Sequence, residues 1–217
     1  MSNKTYQKYH EKLSSKVSED IEKLMIDAEK EESQLAMECG DVNSEGTPLI
    51  SVIVDGAWSK RSYRTNYNAL SGVACIIGEK TKKILYLRVK NKYCYVCSRA
   101  KNPGPHICYK NWKKTSTSME SAIIADDFQK SLAMHNLIYA RIVGDGDSSV
   151  YRKLTDLSPY GPTFVIEKIE CKNHLLRNYL NKLVDLSKNS KFPIELRKKV
   201  TNSKCLLRFR NAVTKAI

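Results

Sequence analysis

A chain of 217 residues, 41% hydrophobic and 28% charged, is long enough for one packed core and an appendage but shorter than most multi-domain enzymes. Its net charge of +14 and pI near 9.4 argue against a neutral enzyme of small-molecule metabolism and for an anionic partner, most economically nucleic acid. Charged residues follow Met1 where a secretory leader would be apolar, and no apolar run approaches membrane-spanning length. The expectation is therefore a nuclear protein with no membrane partner, its seven cysteines in a reducing compartment where clustered ones are metal ligands rather than disulfides.

The ends differ in charge. Residues 1–48 carry 6 Lys and Arg against 11 Asp and Glu, and residues 172–217 carry 12 against 2. In residues 1–40, Val17, Ile21, Leu24, Met25 and Ala28 recur at helical spacing among dense charges, which predicts a long amphipathic helix that packs on the domain or pairs with a partner. Residues 41–48, Asp-Val-Asn-Ser-Glu-Gly-Thr-Pro, have the composition of a linker, so the globular domain is expected over 49–186.

Within it, Leu49–Asp55, Gly72–Gly78 and Ile84–Lys90 read as three strands of an antiparallel meander. An insertion over 93–112 precedes a helix over 117–135, a strand ending at Gly144, and a short helix near Ser148–Leu157. A turn at Pro159–Pro162, a strand over Thr163–Glu170, a helix from Lys172 and a basic helical tail over 187–217 complete the order.

Two aspartates each follow an apolar strand-like run, Asp55 after Ile50-Ser-Val-Ile-Val and Asp145 after Ile138–Gly144. A strand that returns through a crossover helix lies parallel to the first, so side chains at both C-terminal ends can meet and bind a hard cation such as Mg²⁺ or Mn²⁺. Asp147 competes for the second position, although it is also well placed as an N-cap for the next helix.

The insertion holds Cys94-x-x-Cys97 and His106-x-Cys108, four ligands within fifteen residues around the turn-like Lys101–Pro105. That spacing suits tetrahedral, structural Zn²⁺ with no position left open for catalysis. A Cys-x-x-Cys redox pair is the competing reading, disfavoured because such a pair is expected to open a helix after a strand. Lys60, Arg61, Lys110, Trp112, Lys113 and Lys114, with Arg197, Lys198, Lys199, Arg208 and Arg210 in the tail, are the candidate nucleic-acid contacts.

The order β-β-β-α-β-α-β-α, with Asp55 ending the first strand and Asp145 the fourth, resembles the ribonuclease H-like fold of integrases and DDE transposases. Val54-Asp-Gly-Ala-Trp58, Gly144-Asp-Gly-Asp-Ser148 and Glu170-Cys-Lys-Asn-His174 more narrowly resemble the Mutator-like transposase domain. The resemblance implies an α/β fold: a mixed five-stranded sheet of three antiparallel strands and a parallel β-α-β, flanked by helices, with a zinc-knuckle insertion and a long N-terminal helix. It also implies that Asp55 and Asp145 are the first two acids of a triad holding two Mg²⁺ ions for phosphodiester cleavage and strand transfer on transposon-end and target DNA, with a homo-oligomer as partner state.

Family members carry the third acid, a glutamate, on a later helix beyond an insertion, and Glu195 is the only acid after Asp185 here. Glu120 resembles in position the glutamate of ribonuclease H, although a first-turn glutamate also suits the helix dipole. Cys171 and His174 resemble the family's Cys-x-x-His signature and form an open candidate metal pair. The alternative function is a catalytically inactive, transposon-derived, zinc-stabilised module for binding DNA or protein.

Overall fold

Residues 3–60, 68–144 and 148–216 are described by the structure, a computed structural model. The chain divides into two compact units, Met1–Val143 with Asp147–Lys168, and Gly144–Gly146 with Ile169–Ile217.

The first unit opens with α1 (Asn3–Glu38), one unbroken 36-residue helix. The segment after it is ordered by local chemistry. Asn43 accepts the Glu45 and Thr47 N–H groups at 3.0 and 2.8 Å, Gly46 takes a left-handed φ of 81°, and Val42 bridges Pro48.

Three strands follow, β1 (Leu49–Trp58), β2 (Ser71–Gly78) and β3 (Ile84–Asn91), paired antiparallel in that order. β1 runs three residues beyond the expected end, so Asp55 lies inside a strand opposite Cys75. The strand β4 (Ile138–Gly144) pairs parallel to β1 with Ile53 opposite Val143, and β5 (Glu167–Glu170) completes a five-stranded sheet of order β3-β2-β1-β4-β5.

Two expected elements came out differently. Thr163–Ile166 stays outside β5, because the Ile166 carbonyl accepts the Tyr151 hydroxyl at 3.1 Å instead of pairing with a strand. The expected helix over 117–135 is two, α3 (Ser118–Phe128) and α4 (Ser131–His135). Ser131 is fully buried at the break with its hydroxyl 2.8 Å from that of Tyr160, and Asn136 ends α4 with a left-handed φ of 50°. A five-residue helix, α2 (Tyr95–Arg99), sits in the insertion, and α5 (Ser148–Leu157) packs on α3.

Even-numbered residues of β1 and β2 supply the buried face, with Ile50, Val52, Ala74 and Ile76 at 2% exposure or less. Both α1 and α3 cover that face: a Cβ on Gly72 would meet Met119 of α3, and one on Gly78 would meet Glu32 of α1. The last turns of α1 thus belong to the core, with Met25, Ala28 and Ala36 buried.

Burial brings acids together there. Tyr139 of β4 donates to Asp127 at 2.9 Å and to Glu29 at 3.2 Å, and the other Glu29 oxygen lies 2.8 Å from His135 Nδ1. Burial first, then the Asp127 charge, raises Glu29 from 4.5 to about 8; burial raises Asp127 from 3.8 to about 7 and lowers His135. A protonated Glu29 can therefore donate to neutral His135.

Folded Glu29 holds a proton that the unfolded chain releases, so its contribution is fully present below about pH 4.5 and is lost as pH rises to about 8, whereas the lowered His135 acts in the opposite sense. Glu29→Gln keeps a donor and an acceptor without the titration. It is expected to raise Tm at pH 8.5 by about 4 °C, on the order of 1–2 kcal/mol after discounting for partial solvation, and to give no gain at pH 5. An equal shift at both pH values would refute the assignment.

The second unit is helical, with α6 (Lys172–Lys188), α7 (Ile194–Thr201) and α8 (Ser203–Ala216) packed on one another. Among the described residues no helix is long and apolar enough to cross a membrane.

Candidate functional site

The insertion after β3 is clamped at its base. The Asn111 side chain accepts the Asn91 N–H at 2.6 Å and donates to the Val89 carbonyl at 2.9 Å, while the Asn111 and Trp112 N–H groups both donate to the Asn91 carbonyl at 2.9 Å. On this clasp Cys94 occupies the N-cap of α2 in extended conformation, and Cys97 follows within the helix. The pair does open a helix after a strand, so its local setting alone does not exclude redox chemistry. His106 and Cys108 join it in one group of four that could hold a metal ion.

Nε2 of His106 lies 3.5 Å from Cys94 Sγ and 3.3 Å from Cys97 Sγ, Cys97 Sγ is 3.6 Å from Cys108 Sγ, and all four ligand atoms lie within 4.8 Å of one another. A tetrahedron built on Zn–S of about 2.3 Å and Zn–N of about 2.0 Å has edges of roughly 3.5–3.8 Å, which the three close separations match to within a few tenths of an ångström. The other ring nitrogen, Nδ1, donates to the Gly104 carbonyl at 2.9 Å, which fixes Nε2 as the ligand atom. The backbone N–H of Cys97 foremost pulls the Cys94 thiol down to about 6, so a thiolate forms readily at that corner.

The second constellation lies on β1. Asp55 Oδ1 accepts the Gly56 N–H at 2.9 Å, and a Cβ on Gly56 would fall 2.6 Å from Glu120 Cδ. Glu120 thus lies against Gly56, the residue next to Asp55, and Gly56 leaves room for it. The position of Glu120 in the first turn of α3 is set by its neighbours: buried Ser116 donates to Ala69 at 2.7 Å, its carbonyl accepts Trp58 Nε1 at 3.2 Å, and Met119 is fully buried. The Cys75 thiol, donating to the Asp55 carbonyl at 3.7 Å, is raised by burial and then by the charges of Asp55 and Glu120, so one thiol senses both acids.

Matched over residues 1–217 is the family model of the Mutator-like transposase. The chain belongs to the Mutator-like transposase family. No curated protein and no solved structure gives a match.

The remaining sequence candidates of this Mutator-like transposase chain fall into three groups. Asp145, Asp147 and Arg61 lie outside the described residues. Cys171 caps the N-terminus of α6, its N–H donating to the Gly144 carbonyl at 3.0 Å, and His174 follows one turn on; among the described residues no group of three or more ligands includes them. Glu195 is in the first turn of α7, in the second unit.

Of the basic candidates, Lys60, Lys110, Lys113, Lys114, Lys198, Lys199, Arg208 and Arg210 are exposed and Arg197 is half-buried. Trp112 is already engaged: its Nε1 donates to Thr115 at 2.9 Å and Lys90 Nζ lies 5.5 Å from the ring centroid. Beside the cysteines, Tyr95 stacks under Arg99 at 4.5 Å, and Ile107 and Tyr109 are largely exposed. The buried group of Glu29, Asp127 and His135 went unseen in the sequence, since its members are scattered over α1, α3 and α4.

Proposed function

We propose that this Mutator-like transposase domain cleaves DNA phosphodiesters at an acidic strand edge built from Asp55, Glu120 and Asp145, on a ribonuclease H-like fold. The observation that carries this reading is that Glu120 lies against Gly56, the residue that follows Asp55 in β1. The order β3-β2-β1-β4-β5, with β4 alone parallel to β1 beside it, supports the fold assignment. Asp145 enters by sequence: it is the second residue after Val143, as Asp55 is the second after Ile53, and Val143 and Ile53 are register partners. Asp147 remains the competing second acid.

Mg²⁺ or Mn²⁺ held by these carboxylates would supply Lewis-acid activation of a water or 3′ hydroxyl and of the leaving oxygen. Asp55 is fixed by its strand and by the Gly56 N–H, and Glu120 by the buried start of α3, so both acids stand on rigid elements as charge-stabilising chemistry requires. The Cys94–Cys97–His106–Cys108 cluster would hold structural Zn²⁺ and present Tyr95, Ile107 and Tyr109 with nearby lysines to the nucleic acid. The partner is DNA, at transposon ends and target, in the nucleus. Binding should weaken steeply with salt.

The test is cleavage of labelled duplex DNA with Mg²⁺ or Mn²⁺, with Asp55→Ala alongside. Nicking lost in the variant, with binding retained, supports the reading. Binding without cleavage in the native chain would leave the zinc-stabilised, catalytically silent DNA-binding module.

A further inference from the structure

The outer half of α1 carries an apolar stripe that its own domain does not cover. Tyr6, Tyr9, Leu13, Val17, Ile21 and Leu24 are between 41 and 68% exposed. The helix turns a different face to the rest of its unit: Gln7 and Glu11 line a groove of about 440 Å³ with Cys94, Tyr95 and His106, Glu22 pairs with Arg88 at 2.8 Å, and Met25 and Glu29 are buried. At 100° per residue the apolar stripe is centred about 120° around the helix from that face, so intramolecular packing leaves it bare.

The stripe is symmetric along the helix. Its spacings, 3, 4, 4, 4 and 3 residues, read the same from either end, so a second copy laid antiparallel sets Tyr6 against Leu24, Tyr9 against Ile21 and Leu13 against Val17. Charge selects the same orientation. From Lys4 to Lys16 the helix has four lysines against Glu11, whereas from Glu19 to Asp27 it has four acids against Lys23. An antiparallel pair opposes basic to acidic halves, and a parallel pair stacks like on like.

We propose that two copies of this chain associate through an antiparallel pairing of their α1 helices along the Tyr6–Leu24 stripe. The twelve stripe side chains of such a pair, the four tyrosines largest among them, together supply apolar area toward the roughly 1,000 Å² that a stable interface clears. Neither metal nor DNA enters this inference, so it stands or falls apart from the cleavage reading.

Sedimentation velocity of the 217-residue chain at 0.15 M salt is expected to show a concentration-dependent species of twice 24.7 kDa. Leu13→Glu with Val17→Glu should leave a monomer, and Leu13→Ala with Val17→Ala, which favours the helix, should weaken the dimer by roughly a hundredfold, both with an unchanged melting temperature of the core. Lys8→Glu, Lys12→Glu and Lys16→Glu together should weaken an antiparallel pair at least about tenfold and leave a parallel one unaffected. A monomer at every concentration, a dimer indifferent to Leu13 and Val17, or a dimer unmoved by the lysine changes would overturn the proposal.

Discussion

Replacing Asp55 by alanine or Glu120 by glutamine is expected to lower Mg²⁺-dependent nicking of duplex DNA by roughly a hundredfold or more, while salt-sensitive DNA binding stays within about twofold. In the proposed reading, loss of one carboxylate removes charge where the metal and the transition state would need it, while neither side chain is buried in the core: Asp55 is exposed and Glu120 half-buried. Gly56→Ala is the sharper form of the same experiment. The added methyl group would fall 2.6 Å from the Glu120 carboxyl carbon and 2.8 Å from its Cγ, so the Glu120 side chain must shift. Gly56→Ala should therefore resemble Glu120→Gln in activity. Full activity in Gly56→Ala and Glu120→Gln would remove Glu120 from the reaction and leave the family's later glutamate as the third acid. Parallel loss of binding and cleavage in Asp55→Ala would show instead that Asp55 maintains the fold.

The second large effect is expected from the cysteine–histidine cluster. The chain should purify with one zinc per molecule, and strong chelation should open the insertion to proteases between Lys92 and Lys110. Besides the cluster, that segment is held only by the clasp of Asn91 and Asn111, the five-residue α2 and short contacts such as that of Ser98 Oγ with the Tyr93 hydroxyl at 3.0 Å among the bonds described. Cys108→Ser should lower zinc affinity by at least about tenfold and produce the same cleavage pattern, since three ligands with one exposed corner hold the metal less well. The rest of the first unit should melt nearly as before, because its core lies in the sheet under α1 and α3. Metal-free chain with a protected insertion would show that the cysteines serve something other than zinc.

The cluster was readable because its four ligands lie within fifteen residues, so spacing alone brings them to one point. Helix α5 and strands β2 and β3 were readable for a similar reason, being set by periodicity and turn residues within a few positions. The two roles weighed for Glu120, dipole partner or strand-edge acid, could not be separated in sequence. The contact that matters is with Gly56, sixty-four positions earlier, and depends on how α3 lies across β1.

Composition, charge and motif spacing determined that this chain is a basic α/β protein with a four-ligand cluster, and the family resemblance of its motifs placed it among the Mutator-like transposases. These are local or summed properties that hold whatever the packing. Tertiary structure alone decided that α1 supplies the core with one end and leaves an apolar stripe bare at the other, that Thr163–Ile166 stays out of the sheet, and that Glu29 and Asp127 share a buried proton-holding network. Each depends on which distant surfaces meet. An apolar residue gains the same free energy from any dry neighbour, and an acid shifts its proton affinity only once a particular burial has removed its water.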